Sequence, residues 1–515
     1  MSNSTKLARA TIRQLIENGV SDFVLSPGSR NAPLSLALYE AEKAGLVNLH
    51  IRIDERGAGF FALGIAKASH NYVALICTSG TAVANYHPAA MEAFHADIPL
   101  LFLTADRPAR LRNTGANQTT NQVGALLPLT THDTSSELDL SELMNGSPLH
   151  INLQFDEPLL AESDENWLDG ITPQYRHYGL DSGGEIQITP KTVVIVGHDR
   201  GGYLQSEIGE FVDGVPHIAE DPLSFPDAIP HAALFLADEK VREYLKPDQV
   251  IVVGRTTLSR SINAYIANAP RTIVIDPRIS NIDTNRSADE IHLTLPDLVG
   301  SVSEQWQNLW RDVKKSVRIS LEWSEQEAIR TIAASLPDEA ALFIGSSRPV
   351  RDFEASADPR SGISVFANRG LAGIDGNLST ALGIATQFDR SYSVIGDLTF
   401  LHDLSSLVNL PSLNHTCFIV DNNGGGIFST LPQAGVDGFE KIFGTPHNLN
   451  VESIIRGFGY SVEKVKTVSD LTRSLHHAGL HFVIVEVPDR ATNGLVLKEL
   501  HQRVASAVRM GSNFA

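Results

Sequence analysis

Asp397 stands at the end of the apolar run YSVIG, and Asp421, Asn422 and Asn423 stand at the end of a second, CFIV, directly ahead of Gly424, Gly425 and Gly426. One carboxylate, one amide oxygen and one backbone carbonyl suit a hard cation such as magnesium, which takes oxygen ligands in an octahedral array and shares its sphere with phosphates. The glycines let the main chain come close to such a ligand. The two segments therefore read as a magnesium and diphosphate site between two strands. Taken singly, Asp397 could be a helix N-cap and Asn422 a turn former. Both lie at C-terminal ends of parallel strands, where open α/β sheets bind ligands, and this favours metal ligation. Asp421 and Asn423 compete with Asn422 as the side-chain ligand.

A second chemical group lies far upstream. In LHIRIDERGAGFFALGIAKAS a strand ends at Asp54 and Glu55, and a helix of small residues begins. A carboxyl entering so apolar a segment can hold a proton; it can also simply cap the helix, where negative charge is favourable.

Together these features resemble the thiamine diphosphate enzymes, and the separation of Asp397 from Asn422 is the one that superfamily uses. Where the superfamily usually reads GDG, this chain reads Gly396-Asp397-Leu398. The leucine points to one branch, the synthases of 2-succinyl-5-enolpyruvyl-6-hydroxy-3-cyclohexene-1-carboxylate (SEPHCHC). Seven motifs carry that resemblance in order: LSPGSRNAPL (25–34), IDERGAGFFALG (53–64), CTSGTAVANYHPAAMEA (77–93), LTADRPARLRNTGANQTTNQ (103–122), NRGLAGIDG (368–376), GDLTFLHDLSSL (396–407) and VDNNGGGIFSTLPQ (420–433).

The resemblance implies an α/β fold of three doubly wound parallel-sheet domains: a pyrimidine-binding domain over 1–175, a central domain over 188–305 and a diphosphate- and metal-binding domain over 325–515. It implies thiamine diphosphate with magnesium, manganese being the alternative, held by Asp397, Asn422 and the Gly424 carbonyl. Glu55 would hydrogen-bond the aminopyrimidine, with Gln118 as its catalytic companion. Ile374 matches the bulky residue that bends the cofactor, ordinary core packing being the other reading, and Leu398, Gly425 and Ile427 complete the cofactor contacts.

The family's substrates, 2-oxoglutarate and isochorismate, are dicarboxylates, and guanidinium groups offer them planar paired donors. Arg30, Arg107, Arg260, Arg351 and Arg369 are the candidates; Arg348 competes with Arg351, which the family pattern favours, and Arg260, in Ser259-Arg260-Ser261, lies near where the family carries a basic residue. Ser29, Asn117, Gln118 and Ser347 would add neutral hydrogen bonds, and Phe428 and Leu431 an apolar wall. The implied reaction is a decarboxylation of 2-oxoglutarate followed by conjugate addition to isochorismate, releasing carbon dioxide but no pyruvate, in menaquinone biosynthesis. The implied assembly is a homodimer or dimer of dimers, in which Glu55 of one chain faces the diphosphate site of another. An acetolactate synthase relative would predict a small apolar pocket, against which the motif arginines argue. A ligand sensor on the same scaffold has no need of Glu55 together with Asp397 and Asn422.

The elements that position these groups follow from short apolar runs alternating with helical patterns, the signature of parallel α/β sheets. DFVLS, LHIRI, YVALICT, PLLFLTA and PLHINLQ predict strands before a polar stretch, Glu162 to Gln187, that reads as a linker. TVVIVG, QVIVVG, RTIVID and EIHLTL follow, then a helical segment through 301–336, then ALFIGSS, ISVFAN, YSVIGD, TCFIVD and HFVIVEVPD. With 515 residues, about three domains are expected. A net charge of −19 disfavours nucleic acid as a partner. No apolar run reaches the roughly 18–20 residues of a membrane span, and the N-terminus reads as an amphipathic helix rather than a signal peptide, so the cytoplasm is expected. Cys77 and Cys417, each inside a strand pattern, read as buried free thiols. None of the 18 histidines falls in a recognisable metal-ligand spacing, and His87 reads equally as a structural hydrogen-bonder or a participant.

Overall fold

Runs such as Val73–Cys77 and Thr192–Val196 are buried along their whole length, as strands must be when helices cover both faces of a parallel sheet. The computed structural model describes residues 3–160, 166–175, 182–278 and 287–511, and every strand pairing in it is parallel. The chain forms two compact units. One comprises Met1–Gly179, Gly370–Asp389 and Leu401–Asn414; the other comprises Leu180–Arg369, Arg390–Phe400 and His415–Ala515.

The first unit holds a six-stranded sheet in the order Asn48–Ile51, Asp22–Leu25, Val73–Cys77, Leu100–Asp106, Leu149–Gln154 and Thr131–Thr134. The last of these strands, THDT, is absent from the sequence reading because it carries no apolar run. It is an edge strand whose side chains serve a polar network: Asp133 and Asp106 both accept hydrogen bonds from Arg112 and Asn152.

The second unit holds two larger sheets. One runs Glu290–His292, Thr272–Ile275, Gln249–Val253, Thr192–Val196 and His217–Ala219; the other runs Ser364–Phe366, Ala341–Ile344, Ser391–Gly396, His415–Asp421, His481–Glu486 and Ser461–Val465. Three departures from the sequence reading stand out. Ser182–Gln187, at the end of the supposed linker, is a strand paired with Leu295–Val299, so that stretch is not linker throughout. The helical segment through 301–336 is two helices, Glu304–Ser316 and Glu325–Ser335, each with its own serine cap: Ser303 accepts from the Trp306 N–H and Ser324 from the Glu327 N–H. Ser461–Val465 was missed because SVEKV is a half-exposed edge strand whose charges hide its alternation. Both cysteines are free and buried.

In the first unit the helix Glu55–Ser69 packs on the helix Asn377–Ala385 through paired glycines. A β-carbon on Gly64 would lie 2.1 Å from the Thr380 carbonyl oxygen, and one on Gly383 2.0 Å from that of Phe61. Alanine gains about 1 kcal/mol over glycine in a helix interior, but here it meets backbone that cannot rotate away, and overpacking costs about 1–3 kcal/mol or more. Gly64→Ala is therefore expected to lower the urea midpoint despite its better helix propensity; an unchanged or raised midpoint would contradict this packing.

Candidate active site

In the second unit Asp397 is 2% exposed. Its Oδ1 accepts from the N–H of Leu398 (2.6 Å) and its Oδ2 from the N–H of Gly424 (2.8 Å), with His447 Nε2 at 3.3 Å. Burial, with the Asp421 charge adding, pushes the Asp397 carboxyl up to about 6 against the pull of these donors, an imbalance that a cation would relieve. Oxygens of Asp397 and Asp421 and a nitrogen of His447 all lie within 4.8 Å of one another. Asn423, a sequence rival for the ligand, has both ends of its amide engaged by Asn448. Asn422 donates through Nδ2 to Glu325, while its Oδ1 is buried without a partner. The clustered Asp397 and Asp421 oxygens, and a buried amide oxygen still in need of a partner on the next residue, are donors that fit a hard cation. The glycines are obligatory: β-carbons on Gly424 and Gly425 would lie 2.1 Å and 2.3 Å from the carbonyl oxygens of Gly444 and Phe443. Arg490, which the sequence reading missed, donates to the Asn423 carbonyl and pairs with Glu440, clamping the turn.

The same unit contains a cavity of about 730 Å³ lined by Arg260, Arg348, Arg351, Ile427, Leu431, Lys498 and His501, among others. The arginines differ in what already holds them. Arg348 pairs with Asp352 and Glu325. Arg369, expected on substrate, is instead buried in an ion pair with Glu220 at 2.8 Å, so its charge is already met. Arg351 donates only to the Ser347 carbonyl (2.6 Å) and has no carboxylate partner among the described residues. Burial and the nearby Arg348 and Arg369 guanidiniums lower its pKa, which an anion would reverse. Ser347, with φ at 75°, holds the left-handed backbone that starts the helix Arg348–Ser356, a conformation non-glycine residues keep mainly where the surroundings enforce it. Arg260 is exposed at the start of the helix Arg260–Ala267. Phe428 packs on Phe443, ring centroids 5.5 Å apart, and is not part of the cavity lining, unlike Leu431.

In the first unit Asp54, not Glu55, caps the helix Glu55–Ser69, accepting from the Arg56 N–H at 3.1 Å. Asp54 and its neighbours are tied to 401–409: Ser405 donates to Asp54, and Arg56 to the His402 carbonyl. Arg52 donates to the carbonyls of Ser406 and Val408. The Glu55 carboxylate is left without a hydrogen bond among the described residues. It lies close enough to the buried Cys77 thiol and Tyr86 phenol to add to the rise in pKa that burial imposes on both. Arg107 donates to Ser79 and to the Gln118 carbonyl, both at 2.8 Å. Burial and the neighbouring Arg30 pull its pKa down, so the two guanidiniums face one another's field. Arg30 reaches the Phe155 carbonyl and Glu157. Ser29, Asn117 and Gln118 are exposed, Gln118 with φ at 49°, and His87 sits 3.0 Å from the Ala125 carbonyl, a structural bond. Half-buried Ile374 sits in a loop positioned by Glu92, another residue the sequence reading missed. The buried Glu92 carboxylate accepts from the N–H groups of Gly370, Leu371 and Ala372 at 2.7, 2.6 and 3.3 Å. An acid inside the apolar helix HPAAMEAFHA was the available signal. Two histidine-containing groups have ligand atoms close enough to hold a metal ion, His447 with Asp397 and Asp421, and His477 and His481 with Glu463, and the sequence reading singled out neither.

Parallel α/β sheets bearing an acidic turn over three glycines define the class to which the comparisons also lead. Residues 5–125 match the thiamine pyrophosphate enzyme N-terminal TPP binding domain, and residues 347–487 the corresponding C-terminal TPP binding domain. The chain is 35% identical to the 2-succinyl-5-enolpyruvyl-6-hydroxy-3-cyclohexene-1-carboxylate synthase of Thermobifida fusca, over 99% of this chain and 100% of the relative. It is also 35% identical to that of Saccharopolyspora erythraea, over 99% of each. It belongs to the SEPHCHC synthase family. A benzoylformate decarboxylase from Polynucleobacter necessarius, 13% identical with a TM-score of 0.66 over 94% of this chain and 98% of its own, has the same fold. No helix among the described residues is long and apolar enough to cross a membrane.

Proposed function

We propose that this chain is a thiamine diphosphate- and magnesium-dependent transferase of menaquinone biosynthesis. It would remove carbon dioxide from 2-oxoglutarate and join the remaining four-carbon unit to isochorismate, giving SEPHCHC without release of pyruvate. The observation that carries the substrate class is the cavity lined by Arg351, which has no carboxylate in ion-pair contact among the described residues, and also by Arg260 and Lys498. Cations gathered on one cavity, with Arg351 feeling Glu220 and Glu354 only at longer range than an ion pair, are what a dicarboxylate needs, because desolvating it is offset only by paired, charge-assisted hydrogen bonds.

When bound, thiamine diphosphate supplies the nucleophilic carbon and the electron sink for decarboxylation. Asp397, Asn422 and the Gly424 carbonyl would hold magnesium, or manganese in its place, against the diphosphate, with Leu398, Gly425 and Ile427 beside it. Glu55 would hold a proton at the aminopyrimidine, Ile374 would support the ring, and Gln118 would orient the reacting groups. Arg30 and Arg107, with Ser29 and Asn117, form a second cationic patch suited to a carboxylate; Ser347, Arg351, Leu431 and Arg260 form the first. Phe428 would shield the site from water at its edge, and Arg369 would act through Glu220 to keep the site in shape. The working unit is at least a homodimer, with Glu55 of one chain serving the diphosphate half of another. We assign domains to 1–175, 188–305 and 325–515, and a cytoplasmic location.

Loss of isochorismate absorbance that requires thiamine diphosphate, magnesium and 2-oxoglutarate, and does not occur with pyruvate, tests the assignment. In the same assay Arg351→Ala is expected to raise KM for one substrate by about 10- to 100-fold, the range for a lost charge-assisted contact of about 1.5–3 kcal/mol. Turnover with pyruvate alone would indicate a different carboligase, and equal effects of Arg351→Ala on both substrates would remove the separate clamp.

A further inference from the structure

Away from the sites described above, Glu463, His477 and His481 bring one carboxylate oxygen and two imidazole nitrogens within 4.8 Å of one another. Both Nε2 atoms face the same oxygen: His477 Nε2 lies 2.9 Å and His481 Nε2 3.3 Å from Glu463 Oε1. The two rings are stacked, with centroids 3.8 Å apart. Ligands held about 2.0–2.2 Å from a zinc ion at tetrahedral angles lie about 3.3 Å from each other, and the two nitrogen-to-oxygen separations, which as they stand are hydrogen bonds, are close to that value. His481 Nδ1 is 2.9 Å from Ser461 Oγ. A proton on Nδ1 bonded to that hydroxyl leaves Nε2 as a bare lone pair, which is how an outer hydrogen bond prepares an imidazole for a metal. The His481 side chain is 4% exposed, against 45% for His477 and 37% for Glu463. The cluster thus has one rigid inner ligand and an open outer side where water completes the sphere.

We propose that Glu463, His477 and His481 bind a divalent cation of the zinc class. Two imidazoles and one carboxylate suit zinc, nickel or copper and not magnesium, which prefers oxygen. The site is separate from the diphosphate site of the same sheet. Ser461 pairs with His481 at the N-terminal end of their strands, whereas Asp421 pairs with Glu486 at the far end, about 17 Å away at roughly 3.3 Å per residue. A cation here would clip the edge strand Ser461–Val465 to its neighbour. A guanidinium at this corner, that of Arg390, donates to the His477 carbonyl. Its charge opposes protonation of His481 and also tempers cation affinity.

The test is a zinc titration of full-length protein saturated with magnesium, against a chromophoric chelator, with cobalt as a spectroscopic probe. One zinc per chain is expected to bind with a cobalt spectrum of low-coordinate nitrogen and oxygen ligands, and His477→Ala and Glu463→Gln are each expected to weaken it at least 10-fold. His477 is exposed, so its replacement leaves the fold intact, which an unchanged melting temperature without zinc verifies. His447→Ala, which disrupts the other histidine-containing group, is expected to leave this binding unchanged. Zinc binding equal to wild type in His477→Ala, or lost in His447→Ala instead, overturns the proposal.

Discussion

Replacing Glu55 by glutamine is expected to lower turnover by about 10²- to 10⁴-fold, the range for removing a positioned acid or base, while thiamine diphosphate affinity stays within a few-fold of wild type. The structure makes this separation sharp. Glu55 opens its helix, so a purely structural role would be capping, and Asp54 already performs that role through the Arg56 N–H. What Glu55 adds to the fold is then its charge near the helix N-terminus, about 0.3–1 kcal/mol. Glutamine keeps the shape and hydrogen-bonding length but cannot hold a transferable proton. Turnover and cofactor binding are therefore measured together with the melting temperature. Turnover within a few-fold of wild type would remove Glu55 from the chemistry, whereas parallel loss of turnover and of stability would return it to a structural role.

The parts of this molecule that the sequence made legible are those whose signal is local. Fully buried strands such as VALIC and TVVIV announce themselves by continuous apolar runs, and the carboxylates at their ends by position. The strand THDT was silent because an edge strand in a polar network carries no hydrophobic pattern, and SVEKV because its outward face is charged. Site residues divide in the same way. Asp397, Asp421, Asn422, Asn423 and the glycines lie in two short motifs at strand ends, which brought them forward together, and the family resemblance singled out Asn422 among them. His447, Glu325 and Arg490 reach their partners by tertiary placement, with nothing in their local sequence to mark them, whereas Glu92 is marked locally only as an acid inside an apolar helix. Arg369 carries the opposite lesson: its motif was legible, but its partner, Glu220, is distant in sequence, and only the fold reveals that the charge is met. Arg351 and Arg348, three residues apart, were told apart only by the family pattern, and the carboxylates around Arg348 supply a physical reason for the same choice.

Asp397→Asn is expected to lower metal-dependent affinity for thiamine diphosphate by at least about 100-fold, since disturbing residues merely behind a metal ligand already costs 10- to 100-fold. The change looks conservative and is not. Both carboxylate oxygens accept backbone N–H groups, from Leu398 on one side and Gly424 on the other. An amide has only one oxygen, so its NH₂ must point at one of these donors whichever way it turns. One buried N–H is then left without an acceptor, at a cost of about 1–3 kcal/mol. Working against this, the substitution removes a buried charge that Asp421 already repels. Stability of the metal-free protein is therefore expected to change little, because the two effects oppose each other, while the site loses both its charge and the geometry of the Gly424 turn. Isothermal titration of thiamine diphosphate with and without magnesium separates these terms. Wild-type protein should bind far more tightly with the metal, and the variant should gain almost nothing from it. A variant that kept the full magnesium enhancement would move the metal to Asp421 and His447, whose ligand atoms lie within the same 4.8 Å cluster.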